Sequence, residues 1–240
     1  MDISAYYHRA KWVVTHEAAV SEYPQIPTYL FGLNEFIAGF FNESVRFGIF
    51  YAIIAFEMIV ALYFVVKILT ESFPSVRKYH SLLMLLPPSL YFVLNRFDIL
   101  PALLCLIALN LLQKKKWIFS SIILAIATFT KWYPVLIFPG FFVYASTQEN
   151  KLQWKMIVSF VLTSLFIIIP TYFQGGMEAV LFPYQFHAIR GLEYVSVPVL
   201  INRLLVNVFN LSISQPGFSQ FFFFLQILSP LLVLFLTINT

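Results

Sequence analysis

The chain has 240 residues, of which 60% are hydrophobic and 11% are charged, and its formal net charge is +4 at pH 7. A soluble globular domain is about half apolar and about a quarter charged, so this composition excludes such a domain and indicates a polytopic membrane protein. The basic residues fall in turns between apolar runs, which argues against a nucleic-acid-binding surface. The single cysteine, Cys105, lies inside an apolar run and excludes an intrachain disulfide.

Residues 1–46 are the most polar part of the chain, and we interpret them as an outer-face loop that carries interfacial helices. Residues at helical spacing share one face of a predicted first helix: Asp2, Tyr6 and Arg9. Two prolines end this helix and predict an extended link: Pro24 and Pro27. The apolar and aromatic segment 28–41 is expected to lie in the membrane interface or to dip into the membrane.

Residues 47–240 predict a transmembrane helical domain. Its first run, 47–66, is long enough to span a bilayer and has Glu57 at its middle, which we interpret as a structural residue that hydrogen-bonds a neighbouring helix. Further spans are predicted over 81–94 with a kink at Pro87 and Pro88, 98–113, 117–132, 133–146, 155–173 and 219–237. Between them we expect an outer loop over 174–197 and an interfacial or re-entrant helix over 198–212. The predicted fold class is all-α, a polytopic transmembrane helical bundle with about seven spans plus interfacial helices.

The lysine run Lys114 to Lys116 separates the two apolar helices of a predicted hairpin. Short cytoplasmic loops collect Lys and Arg, and the loops predicted on this side hold eight of the 15 basic residues. The other ends of the two helices carry Arg96, Asp98 and Lys131. Because adjacent helix ends bring these charges to one non-cytoplasmic face, the pattern predicts a functional site there.

Five short motifs lie on this predicted outer face: Asp2 with Tyr6-Tyr7, Tyr23-Pro24, Arg96-Phe97-Asp98 with Pro101, Thr130-Lys131 with Tyr133-Pro134, and His187 with Arg190-Gly191. In this order they resemble the polytopic glycosyltransferases of the C-type fold, and among them glycosyltransferase family 87, the polyprenol-phosphate-mannose-dependent mannosyltransferases. The resemblance covers most of the chain. It departs at Gln25, where the family often has a second proline, and at the start, because the family has a transmembrane helix before its aspartate. We therefore expect the chain to be truncated relative to the family.

The resemblance implies that Asp2 is the general base for the acceptor hydroxyl and that His187 binds phosphate or moves a proton. The donor phosphate is implied to contact three cations: Arg190, Lys131 and Arg96. The residues implied to shape the cavity are Tyr6, Tyr23, Asp98 and Tyr133. The implied partners are a polyprenyl-phosphate sugar donor, a glycolipid or glycan acceptor, and membrane lipids, with no nucleic acid. No cofactor is implied and a metal requirement is left open. The implied location is the plasma membrane, with the site on the outer face of a multi-pass protein.

Other interpretations of the same residues stay open at this point. Lys131 is equally explained as a lysine that extends to the membrane interface, and Asp98 as a partner of Arg96 or a cap of the next helix. The chain as a whole has two alternatives to an active transferase, namely a component of a transporter or channel and an inactive truncated fragment of such a transferase. A transporter is disfavoured because no internal repeat is visible and the polar groups gather at one face.

The first prediction concerns topology. In intact cells, single cysteines introduced into a Cys105→Ser background should react with an impermeant maleimide at position 187 but not at position 115, because Lys115 is expected in the cytoplasm. Labelling at position 115 with protection at position 187 would reverse the orientation and remove the outer-face site.

Overall fold

The computed structural model describes residues 2–16, 23–72 and 86–189, and in these ranges all regular structure is helical. The helices are α1 Asp2–His16, α2 Gln25–Ala38, α3 Glu43–Ser72, α4 Pro87–Asn95, α5 Ile99–Gln113, α6 Trp117–Thr130, α7 Phe138–Gln148 and α8 Trp154–Ile189, with a 3-10 turn at Tyr133–Ile137 before α7. The all-α prediction is therefore confirmed for this part. The chain divides into two compact units after Pro183, and the fold described below belongs to the first. The predicted segments 198–212 and 219–237 lie outside the described residues.

Two of the described helices are long and apolar enough to cross a membrane, α3 and the Trp154–Phe186 part of α8. Helices α4 and α5 pass the same test together, but they meet at an angle of 99°, so they form a third crossing only if a bent pair is one span. Helix α6 is apolar but shorter. These helices identify a membrane protein with two or three candidate spans in the described part, and the remaining predicted spans stay predictions.

Prolines begin helices at two places where the sequence suggested a break. The predicted extended link at Pro24 and Pro27 is wrong, because Pro24 is the N-cap of α2 and Pro27 lies in its first turn. Pro87 likewise opens α4 instead of kinking the middle of the predicted span 81–94, whose first residues lie outside the described part. The first turn of a helix uses no intrahelical N–H donors, so proline is tolerated there and its fixed φ favours helix initiation.

Two further boundaries differ from those predicted. The predicted span 133–146 begins as the 3-10 turn and becomes α-helical only at Phe138. The predicted outer loop 174–197 is helical up to Ile189, because α8 continues beyond a break at Gly175 and Gly176. Gly176 has φ 65°, a left-handed conformation that glycine adopts without the steric cost of a β-carbon.

Helices α5 and α6 form the antiparallel hairpin that the lysine run predicted. Small side chains at Ala108 and Ala125 are fully buried, and the Ser120 hydroxyl donates a 2.7 Å hydrogen bond to the Ala108 carbonyl. Small residues and hydroxyls of this kind allow membrane helices to approach closely. In the turn, Lys115 has φ 57° and its N–H bonds the Leu112 carbonyl, while the N–H of Lys116 bonds the Leu111 carbonyl. These two bonds are the Schellman arrangement that ends many helices.

A buried ion pair holds the corner between α2 and α3. The Glu35 side chain is fully buried, and its Oε1 lies 2.6 Å from Nη2 of Arg46. Arg46 also reaches the exposed carboxylate of Glu43, with 3.2 Å between Nη1 and Oε1. A β-carbon at Gly39 would lie 3.2 Å from the same Arg46 Nη2, so the guanidinium occupies the space beside a glycine.

The second prediction follows from this corner. Arg46→Met should lower the free energy of unfolding by about 3–5 kcal/mol, because it leaves the Glu35 carboxylate buried without its cation. Glu43→Gln is the matched control, since it removes an exposed partner of the same arginine and should cost about 1 kcal/mol or less. Unfolding in detergent measures both.

The double variant Glu35→Gln/Arg46→Met completes the test. It removes both charges and should recover most of the lost stability. Equal stability of Arg46→Met and Glu43→Gln would show that the Glu35–Arg46 pair does not hold the corner.

Candidate functional site

An ion pair joins the ends of α5 and α6 that lie opposite the lysine turn of the hairpin. Asp98 is the N-cap residue of α5 and Lys131 is the C-cap residue of α6, and the Lys131 ammonium contacts Oδ1 of Asp98. The Asp98 side chain makes no capping hydrogen bond, and its cation is Lys131 and not Arg96. Of the two alternatives for Asp98, its position at the N-terminus of the next helix is confirmed, although its side chain forms no capping bond, and its pairing with Arg96 is wrong. The side chains are 41% exposed for Lys131 and 45% exposed for Asp98, so the pair is open to an incoming group.

Beside the ion pair lies a cluster of four aromatic rings, Tyr6 from α1, Tyr23, Phe31 from α2 and Phe97 before α5, which we call the aromatic cluster. The rings of Tyr6 and Phe31 are stacked with centroids 4.7 Å apart. Tyr23 and Phe97 meet them and each other edge to face at 5.3–6.1 Å. These are favoured geometries for aromatic pairs. The cluster fixes α1 and α2 against the loop that carries Asp98.

The ion pair and the aromatic cluster are in contact through Lys131. Its ammonium lies 5.9 Å from the centroid of the Phe97 ring, within the range of a cation–π interaction. Arg96 makes a similar contact, with its guanidinium carbon 5.6 Å from the centroid of Phe92. Two of the three cations implied in phosphate binding, Lys131 and Arg96, therefore have their orientation constrained by aromatic rings of the α4–α5 bend.

Tyr133 lies two residues beyond Lys131, at the start of the 3-10 helix. The ordinary pKa of a tyrosine phenol, about 10, keeps it protonated throughout the physiological range. Tyr133 is therefore a neutral hydrogen-bond donor near a carboxylate.

A cavity of about 360 Å³ opens next to Asp98, between α3 and the bent pair α4–α5. Apolar side chains form most of its wall, and the polar groups are Ser89 and Asp98. The apolar wall residues are Leu62, Phe92, Val93, Ile99 and Ala102. Asp98 connects the cavity to the ion pair, because it lines the cavity and its carboxylate contacts Lys131. A mostly apolar cavity with a charged group at one edge is the kind of site that holds an amphiphile.

The remaining residues of the predicted site are not joined to this arrangement by the structure. Asp2 begins α1, one helical turn before Tyr6, and His187 is in the last turn of α8, within the second unit. Only the helix position of these two is described, and Arg190 lies outside the described residues. The convergence of Asp2, His187 and Arg190 on the ion pair stays a prediction. Within the described ranges, no group of three or more His, Cys, Asp or Glu residues is arranged to hold a metal ion.

Phe31 is a member of the aromatic cluster that the sequence analysis missed. Its signal is present in the buried face of α2, where Thr28, Phe31, Glu35 and Ala38 recur at helical spacing. That pattern was overlooked because the segment 28–41 was interpreted as an apolar, aromatic-rich stretch that lies in the membrane interface or dips into the membrane.

No family model, no curated protein and no solved structure matches the chain. The described helices and the composition are those of a helical membrane protein with two or three candidate spans. The choice of activity therefore depends on the residues of the site and on the motifs they belong to.

Proposed function

We propose that the protein is a membrane-embedded glycosyltransferase that moves a hexose, mannose by resemblance, from a polyprenyl-phosphate donor to an acceptor hydroxyl on the non-cytoplasmic face of the plasma membrane. The observation that carries this proposal is the meeting of separate motifs. One connected group of side chains spans 126 positions of the sequence and consists of Tyr6, Tyr23, Phe97, Asp98 and Lys131. These residues come from four of the five motifs that carry the resemblance.

The chemistry of the group suits a lipid phosphate. A polyprenyl phosphate has a long apolar chain and an anionic head group, and the cavity offers an apolar wall that ends at Asp98, the residue whose carboxylate contacts Lys131. Asp98 is the counter-ion of Lys131 in the structure. When the donor binds, phosphate oxygens take over as acceptors for the ammonium, and Tyr133 adds a neutral donor nearby.

The proposed reaction inverts the anomeric carbon. Asp2 takes the proton of the acceptor hydroxyl as its oxygen attacks that carbon, and the bond from the carbon to the phosphate oxygen breaks with its electron pair left on the phosphate. Four groups are proposed to stabilise the charge that develops on the leaving phosphate: Lys131, Arg96, Arg190 and His187. In the complete topology, about seven spans hold this site at the outer face and Lys114 to Lys116 on the cytoplasmic side.

The third prediction separates the two members of the ion pair. Lys131→Gln should weaken binding of a polyprenyl phosphate about tenfold to a hundredfold, because a charge-assisted hydrogen bond is lost. Asp98→Asn should strengthen binding, because it removes the negative charge that competes with the phosphate for Lys131. Titration of a short-chain polyprenyl phosphate into protein in nanodiscs measures both affinities.

Lys116→Gln is the matched control for this titration. Lys116 caps the opposite end of the same helix, so its replacement should leave the affinity unchanged. The exposed Asp98–Lys131 pair contributes about 1 kcal/mol or less to stability, so both variants should fold. Equal loss of affinity in Lys131→Gln and Lys116→Gln would mean that the lysines act through general charge and that no phosphate site lies at Lys131.

The fourth prediction concerns turnover. Asp2→Asn should lower turnover by about two to four orders of magnitude with donor binding largely retained, because the amide keeps the shape but cannot accept the proton. Arg190→Ala should weaken donor binding as well as turnover, because the phosphate is charged before and during the reaction. The assay uses reconstituted membranes, a polyprenyl-phosphate sugar and a soluble acceptor analogue.

This assay has an outcome that rejects the base assignment. Turnover of Asp2→Asn within about threefold of the parent protein, far less than the loss of a general base produces, would transfer the role to Glu17 or Glu22. A parent protein that binds donor and transfers no sugar would instead favour an inactive form of such a transferase.

A further inference from the structure

Helix α2 presents its polar residues to the protein and its apolar residues outward. Its buried polar side chains are Gln25, Thr28, Asn34 and Glu35. The opposite face carries large apolar side chains at i, i+3 and i+4, and a fourth follows at i+7 in the turn just after the helix. They are 39–76% exposed: Leu33, Phe36, Ile37 and Phe40. A helix on the surface of a water-soluble protein has the reverse arrangement. We call these four residues the outer stripe of α2.

Hydrogen bonds place α2 at the depth of the candidate spans. Asn34 Nδ2 donates a 2.9 Å hydrogen bond to Oε2 of Glu57, which lies 14 residues after the first residue of α3. At 1.5 Å per residue this is about 21 Å along α3. Glu57 is also at the middle of the apolar run 47–66, so Asn34 reaches the central part of that run and not its end.

A second contact ties α2 to the other long apolar helix. The Tyr29 hydroxyl lies 3.0 Å from Oγ1 of Thr171, and Thr171 is inside the Trp154–Phe186 candidate span. Polar side chains of α2 thus meet both α3 and α8 within their apolar lengths. Each of these groups would be costly in hydrocarbon without a partner, and each obtains one from a neighbouring helix.

We infer that α2 is immersed in the hydrocarbon of the membrane, with its outer stripe against lipid acyl chains. The helix has 14 residues, about 21 Å, which is too short to span a bilayer and is compatible with a re-entrant segment. The neighbouring helix α3 also exposes large apolar side chains: Phe56, Ile59, Tyr63 and Phe64. Residues 25–38 therefore belong to the membrane domain and not to an outer loop.

Immersion also explains the chemistry of the α2–α3 corner. Glu35 directs its carboxylate inward to Arg46, on the face opposite to the outer stripe. Asn42 and the first two residues of α3, Glu43 and Ser44, are exposed and form a polar turn. This turn returns the chain to water before α3 begins its apolar length. This inference does not depend on the proposed activity.

The fifth prediction tests what covers the outer stripe. Phe36→Cys and Leu33→Cys, each in a Cys105→Ser background of the full chain, are labelled with bimane and reconstituted in phosphatidylcholine vesicles. The matched control is Ser44→Cys, in the exposed polar turn. Bromine on the lipid acyl chains should quench the labels at positions 33 and 36 several-fold more than the label at position 44, and aqueous iodide should show the opposite order.

Two results would overturn the inference. Iodide quenching at position 36 equal to that at position 44 would put the outer stripe in water. Protection of positions 33 and 36 from both quenchers would mean that protein, such as a second copy of the chain, covers the stripe. Gel filtration of each labelled protein in detergent establishes that it has folded before the quenching is compared.

Discussion

Ionisable side chains in a mostly apolar helical protein must be paired, and this constraint fixes how the described helices meet. Hydrocarbon offers no hydrogen bonds, so each carboxylate or cation left inside it needs a partner from the protein. Glu35 and Arg46 satisfy each other where α2 turns into α3, and Asp98 and Lys131 do so where α4 bends into α5 beside the end of α6. The first pair is closed and the second is open, and that difference distinguishes a structural contact from a candidate site.

The bend between α4 and α5 is what turns the second pair into a cavity edge. If α4 and α5 were one straight helix, Phe92 and Asp98 would lie along a single helix axis and would not line a space between two helices. The 99° angle instead separates the two helices and leaves an apolar space between them and α3. The aromatic cluster packs against the bend through Phe97, which contacts both Tyr6 and Tyr23. The residues of the site therefore lie mainly at helix ends and in the loops between helices, and the helices hold them in position.

Much of the helical framework could be predicted from the sequence. The runs 98–113 and 117–132 are uniformly apolar and are separated by lysines, so a hairpin was the simple consequence, and with it the approach of Asp98 to Lys131. The wrong predictions of helix boundaries concern proline, which can either break a helix or begin one. Pro27 and Pro87 begin helices instead of breaking them. The pairing of Glu35 with Arg46 was not predicted, because it depends on the angle between two helices and no local pattern encodes that angle.

The turn of the α5–α6 hairpin carries a conflict between backbone geometry and charge. The position of Lys115 in the Schellman arrangement is one where glycine is the usual residue, since a left-handed backbone costs a residue with a β-carbon roughly 1–2 kcal/mol. A glycine there would relax the turn and delete one of three adjacent positive charges. In the predicted topology the lysine run marks the cytoplasmic side, so lysine at position 115 keeps one charge of that run while its backbone stays in a conformation that costs free energy. One residue thus combines a charge on which the predicted orientation depends with a backbone conformation that disfavours the turn.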